Sequence, residues 1–156
     1  MKVVIILLAL VSIQFGNTPD NMKGMVERHN FWRNAVGVSP LTWSDKLARV
    51  AQGWANNQAK RNCGCSHSPD RKYGENIYCS EGMDNTAADV VDDWAEEIKF
   101  YNAVNGKCKG GVCGHYTQLV WRRTTQVGCG MARCGEKEIW VCNYDPPGNY
   151  VNEKAY

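Results

Sequence analysis

Cys113-Gly114-His115-Tyr116-Thr117-Gln118-Leu119-Val120-Trp121 is the stretch on which the fold turns. Its side chains alternate as those of a strand do, which puts His115, Thr117, Leu119 and Trp121 on one face. An imidazole and a hydroxyl then sit beside two apolar anchors, with His115 at the edge of a core. A strand is predicted over 115–122, followed by strands at 126–133 and 138–144. Arg123-Thr124-Thr125 and Cys134-Gly135-Glu136-Lys137 supply the turns, so the last third reads as an antiparallel meander. Helical spacing dominates upstream. Met22, Met25, Val26, His29 and Trp32 mark a helix near 21–35. Ser44 is positioned to cap a helix over 45–60, whose stripe is Leu47, Val50, Ala51, Trp54 and Ala55. Thr86 is positioned to cap a third over 87–101. The stretches 62–85 and 102–111 are rich in turn residues and read as loops. Helices followed by neighbouring antiparallel strands give an α+β layered domain.

The third helix carries the clearest chemical signal. Val90, Trp94, Glu97, Ile98 and Tyr101 fall on one stripe, whereas Glu96 faces the polar side. A carboxylate inside an apolar stripe is costly unless it is paired. Glu97 therefore needs a partner, while Glu96, Asp92 and Asp93 are ordinary solvent-facing acids. His67, Glu75 and His115 are the candidates to meet it.

The chain's two ends and its composition set its class. Met1-Lys2 and the apolar run Val3 to Val11 suit a secretory signal over 1–16, too short to span a bilayer. The formal net charge of +2 includes Lys2, and the basic pairs Lys60-Arg61, Arg71-Lys72 and Arg122-Arg123 do not extend into a patch. Nucleic acid is not an expected partner. All eight cysteines follow the signal, and an even number in a secreted chain points to four disulfides. Eight cysteines allow about 105 pairings, and spacing does not choose among them. Cys63-Gly64-Cys65 is too close for a zinc knuckle, and no Cys-x-x-Cys occurs.

A second stretch, Cys142-Asn143-Tyr144-Asp145-Pro146-Pro147-Gly148-Asn149-Tyr150, joins the first in resembling signatures of the CAP superfamily. That superfamily comprises cysteine-rich secretory, antigen and group 1 pathogenesis-related proteins, and the wording is closest to the plant pathogenesis-related branch. The match runs from about Met22 to the C-terminus. It implies a single CAP domain over 22–156, an αβα three-layer sandwich with an antiparallel sheet, stabilised by disulfides.

Residue by residue, the resemblance implies a central cavity with a tetrad of His67, Glu75, Glu97 and His115. The local matches are Ser66-His67-Ser68, Gly74-Glu75-Asn76, Trp94-x-x-Glu97 and Gly114-His115-Tyr116. Such a tetrad can be a hydrogen-bonded network, a divalent-cation site of the zinc type, or an acid–base centre. In the third case Ser66 or Ser68 would be the nucleophile. His29, in His29-Asn30-x-x-Arg33, matches a different motif and is expected to be structural, hydrogen-bonded between helices. The family's three bridges imply Cys63–Cys134, Cys108–Cys113 and Cys129–Cys142. Cys65 and Cys79 are extra, and their pairing closes a loop worth roughly 3 kcal/mol.

The resemblance also implies sterol or fatty-acid binding at the aromatic loop after the third helix, here Trp94, Phe100 and Tyr101. Phe100 lies off the buried stripe and is expected at the surface. In plant relatives the segment after Cys-Asn-Tyr-Asp is released as a signalling peptide. Here that means cleavage between Asp145 and Pro146, with Ala155 where the family usually has Pro. Otherwise 146–156 is a Pro-Pro turn and a surface tail. The expectation is a secreted, monomeric, non-enzymatic defence protein of the apoplast or vacuole that binds sterol or another lipid of microbial membranes. No cofactor is required, although the tetrad could hold a divalent cation. The alternatives are a peptide precursor with its own receptor and a metal-dependent hydrolase.

Overall fold

Strand β6 (Lys137–Asp145) sorts its residues by parity, and the layers follow from that sorting. Ile139 and Val141 pack into one core, while Trp140, Cys142 and Tyr144 pack into another on the opposite face. In the computed structural model, which describes residues 19–156, β6 is a central strand buried on both sides. The predicted leader over 1–16 lies outside the described residues. Strand β5 (Gln126–Cys134) pairs antiparallel with one edge of β6 and β2 (Gly74–Glu81) with the other. A two-residue strand β1 (Thr42–Trp43) joins β5 in parallel, so the four-stranded sheet runs β1-β5-β6-β2.

One face of the sheet is covered by α2 (Asp45–Ala59), whose N-terminus is capped by the Ser44 hydroxyl accepting from Leu47 N–H. The approach is close enough to require glycine beneath it. A Cβ on Gly128 would lie 2.3 Å from the Ala48 nitrogen, and one on Gly130 would lie 2.5 Å from Gln52 Cα. Val50, placed on the apolar stripe by spacing, is exposed instead. The other face is covered by α1 (Met25–Ala35), α3 (Ala87–Glu96) and α4 (Gly114–Leu119). Met25, Val90, Val91, Trp94, Tyr116 and Leu119 meet the even-numbered side chains of β6 there. The result is a three-layer αβα sandwich.

Three predicted boundaries move. The segment predicted as a strand over 115–122 is the helix α4, because its first N–H groups find a carboxylate to bind (described below). The predicted loop 62–85 contains β2, whose hydrogen-bonding partner β6 lies far along the chain. The third helix, capped by a reciprocal Thr86–Asp89 box, ends at Glu96 and tightens into a 3-10 turn over Glu97–Phe100. That tightening rotates Ile98 outward, so it is exposed. A small hairpin of β3 (Tyr101–Asn102) and β4 (Lys107–Cys108) follows.

Four disulfides close the molecule: Cys63–Cys134, Cys65–Cys79, Cys108–Cys113 and Cys129–Cys142. The first two fasten the loop before β2 to the ends of β5 and β2. The third closes the loop ahead of α4, and the fourth staples β5 to β6.

Candidate functional site

The structure divides the four tetrad residues into two carboxylate–imidazole pairs. Glu97 stands at the start of the 3-10 turn, opposite the N-terminus of α4. Its Oε1 lies 2.7 Å from His115 Nδ1, and its Oε2 accepts from the backbone N–H of His115 and of Tyr116, at 2.8 and 3.2 Å. Those two amides are among the orphan donors of a helix start. A carboxylate there is favoured by the hydrogen bonds and by the helix dipole together. Both oxygens of Glu97 are thereby engaged. The His115 ring also stacks on Trp94, with centroids 6.3 Å apart.

Glu75 and His67 form the second pair. Glu75 Oε1 lies 2.7 Å from His67 Nδ1 and accepts from Ser68 N–H at 2.9 Å. Its other oxygen, Oε2, is buried with no partner among the described residues. The pair borders an open cavity of about 350 Å³, with Arg71, Tyr73, Gln118 and Tyr150 on its walls. The split has a simple origin. Glu75 and Asn76 are successive residues of β2 and project from opposite sides of the strand. Asn76 reaches the other pair, donating its amide to the His115 carbonyl at 3.0 Å.

The chemistry available to these pairs is limited. Ser66 Oγ donates to Gln58 Oε1, and Ser68 Oγ accepts from Asp70 N–H. Neither hydroxyl is bonded to an imidazole or a carboxylate among the described residues, so no activated nucleophile is assembled. Nor do three or more His, Cys, Asp or Glu side chains among the described residues gather where they could hold a metal ion. A zinc site needs at least three protein ligands. Glu97 has both oxygens engaged, whereas Glu75 keeps one without a partner among the described residues.

Behind the pairs lies a relay that the sequence does not reveal. Asn76 Nδ2 also donates to Tyr144 Oη at 3.2 Å, and Tyr144 Oη lies 2.8 Å from His29 Nε2. His29 Nδ1 is 2.7 Å from the Met25 carbonyl, so Nδ1 carries the proton and Nε2 accepts from the tyrosine. His29 thus joins α1 to β6, not one helix to another as expected. Burial pushes its pKa down from an ordinary 6.5 to about 4. Arg33, one turn later, is fully buried. It donates to the carbonyls of Ser39, Leu119, Trp121 and Thr124, so the end of α4 is held by a cation without a carboxylate. Burial lowers its pKa from the ordinary arginine range to about 10. Asn30 clamps Leu41 through both its backbone N–H and its carbonyl. Only the His29-Asn30-x-x-Arg33 spacing hinted at these roles.

The expected lipid contacts are distributed differently from the sequence reading. Trp94 is 1% exposed and donates its indole N–H to the Ile77 carbonyl, so it offers no surface to a ligand. Phe100 is half-buried, its ring pressed against Gly111 of the following loop, which removes it from the role of an exposed anchor. Tyr101 does border an opening. A groove of about 530 Å³ runs between the β3–β4 hairpin and the C-terminal segment, with Tyr101, Thr117, Trp121, Tyr150 and Val151 in its walls.

The far wall of that groove is a docked end. Ala155 is 1% exposed, donates its N–H to Tyr101 Oη at 3.0 Å, and accepts from Arg122 N–H at 2.8 Å. A proline at this position could not make the first bond. Tyr156 packs on Tyr101 and Tyr116, with its hydroxyl 3.1 Å from that of Tyr116. The segment is therefore not a free surface tail, although Pro146 itself, directly after β6, is exposed.

Comparison with known proteins agrees with this architecture. The model of the CAP family, described as the cysteine-rich secretory protein family, matches residues 26–144. A pathogenesis-related protein PR-1 of Medicago truncatula is 45% identical over 130 residues, covering 81% of this chain and 74% of that one. Pathogenesis-related protein 1 of Arabidopsis thaliana is 42% identical over 158 residues, covering 99% and 96%. Among solved structures, the venom allergen-like protein 4 of Schistosoma mansoni superposes with a TM-score of 0.73. It shares 26% identity over 88% of this chain and 94% of its own.

Proposed function

The chain belongs to the CAP family of cysteine-rich secretory proteins, and from that membership we propose that it is a secreted plant defence protein that sequesters sterol. In this reading the scaffold is non-catalytic and rigid, and it works by withholding a membrane lipid from a sterol-dependent microbe. The observation that carries it is the groove between hairpin and C-terminal segment. Its volume of about 530 Å³ falls in the range of small-molecule sites, and Tyr101, Tyr150 and Val151 give it apolar surface beside the polar Asn105, Asn149 and Glu153. The leader at the N-terminus favours release to the apoplast or vacuole, and among the described residues no helix is long and apolar enough to cross a membrane. The protein acts as a monomer and needs no cofactor for this task.

Equilibrium binding of radiolabelled sterol to the oxidised protein tests the reading. Saturable binding is expected, weakened roughly severalfold by Val151→Asp, which sets a charge at the rim of the groove. Absence of saturable binding overturns it.

One observation favours a second reading, that of a precursor cleaved at Asp145–Pro146 to give a peptide for its own receptor. Pro146 is exposed at the end of β6, within reach of a protease. The buried Ala155 means that cleavage alone leaves the peptide docked, so release also requires Tyr156 to unpack. Mass spectrometry of extracellular fluid for a fragment beginning at Pro146 decides that question.

A further inference from the structure

Residues 98–112 carry charge of one sign only. They carry Lys99, Lys107 and Lys109 and no Asp or Glu. The whole chain is +2, so this stretch of +3 leaves the remainder at −1 (+2 − 3). The same stretch displays apolar side chains: Val104 is 83% exposed at the hairpin tip, and Val112 is 65% exposed in the Cys108–Cys113 loop. Lys154 lies alongside, its Cγ against Gly106. Acids border the stretch: exposed Glu96 pairs with Lys99, and Glu153 lines the groove together with Lys107.

The presentation is built, not incidental. Asn102 Oδ1 accepts from the N–H groups of Val104 and Asn105, Asn105 Oδ1 accepts from Lys107 N–H, and Gly106 N–H donates to the Asn102 carbonyl. These bonds fix the turn that lifts Val104 outward. The disulfide and the Phe100 ring against Gly111 hold the neighbouring loop that carries Val112.

We propose that this face docks the protein on an anionic phospholipid bilayer, with the lysines at the headgroups and the two valines at the acyl boundary. Charge complementarity selects the partner: a lysine near an anionic leaflet strengthens binding by roughly fivefold. The valines separate a bilayer from a soluble polyanion, since exposed aliphatic groups gain nothing on an acidic polysaccharide. Val104 and Val112 do not line the groove but Lys107 borders it, so docking is kept apart from sterol sequestration by using sterol-free vesicles.

Co-sedimentation of the oxidised protein with sterol-free vesicles tests the proposal. Phosphatidylcholine vesicles with and without phosphatidylglycerol are compared, with polygalacturonate as a soluble competitor. Binding is expected only when phosphatidylglycerol is present. Lys99→Glu/Lys107→Glu/Lys109→Glu should abolish it, and Val104→Ser/Val112→Ser should weaken it severalfold. All these positions are at the surface, so an unchanged thermal melt verifies the fold of each variant. No pelleting with anionic vesicles overturns the proposal. So does pelleting that the valine variant leaves intact and polygalacturonate fully displaces, which assigns the face to acidic polysaccharide. Because no sterol is present, either outcome leaves the groove's ligand to its own test.

Discussion

Glu97 and Glu75 are both carboxylates 2.7 Å from an imidazole, yet they occupy different situations. Glu97 has every oxygen engaged and caps a helix that is separated from it by the whole β3–β4 hairpin. Glu75 keeps one buried oxygen without a partner, faces an open cavity, and holds a histidine whose side chain is 46% exposed. The contrast teaches that one sequence pattern can serve two ends. The first pair is part of the architecture, whereas the second joins a largely buried carboxylate to an exposed imidazole at the wall of a cavity.

The sharpest way to break this comparison is to remove the cap. Glu97→Ala strands two amides and an imidazole, and charge-assisted hydrogen bonds of this kind are worth about 1.5–3 kcal/mol each. A loss of about 4 kcal/mol in unfolding free energy is expected from chemical denaturation, allowing for partial solvent access. A loss below about 1 kcal/mol would remove Glu97 from the architecture.

Acid titration probes the relay behind the Glu97–His115 pair. The folded pKa of His29, about 4, lies below the ordinary 6.5, so the unfolded chain binds the additional proton between these values. Stability contributed by neutral His29 is complete above about pH 6.5 and is lost as pH falls toward 4, by of order 3 kcal/mol. Denaturation midpoints measured across that window should rise with pH in the wild type. The rise should be smaller in His29→Asn, and equal slopes would remove His29 from the account.

The smallest expected effect is that of Glu75→Gln. Its free oxygen makes no bond to lose, and the amide retains an acceptor for Ser68 N–H. A change within about 1 kcal/mol is expected in the same assay, and a loss approaching that of Glu97→Ala would erase the distinction.

Much of this arrangement was legible in the chain. Ser44 and Thr86 mark their helix starts because capping is local chemistry, and β5 and β6 announce themselves through alternation and turn residues. The need of Glu97 for a partner followed from its place on an apolar stripe. Helix α4 was not legible. Its side chains alternate, its length is six residues, and the carboxylate that stabilises it comes from another element. Strand β2 was hidden for a related reason: Gly74-Glu75-Asn76 and Ser80-Glu81 look like loop until β6 supplies the ladder. The docking of Ala155 was equally invisible, since it depends on the Tyr101 hydroxyl.

The proposed sterol site is the groove between hairpin and C-terminal segment, with no part for the His67–Glu75 cavity. Parallel sterol titrations of the wild type, Val151→Asp and His67→Gln/Glu75→Gln test it most directly. Wild-type affinity is expected in the cavity variant and a roughly severalfold loss in the groove variant. Unaltered binding by Val151→Asp, together with lost binding by His67→Gln/Glu75→Gln, would contradict it.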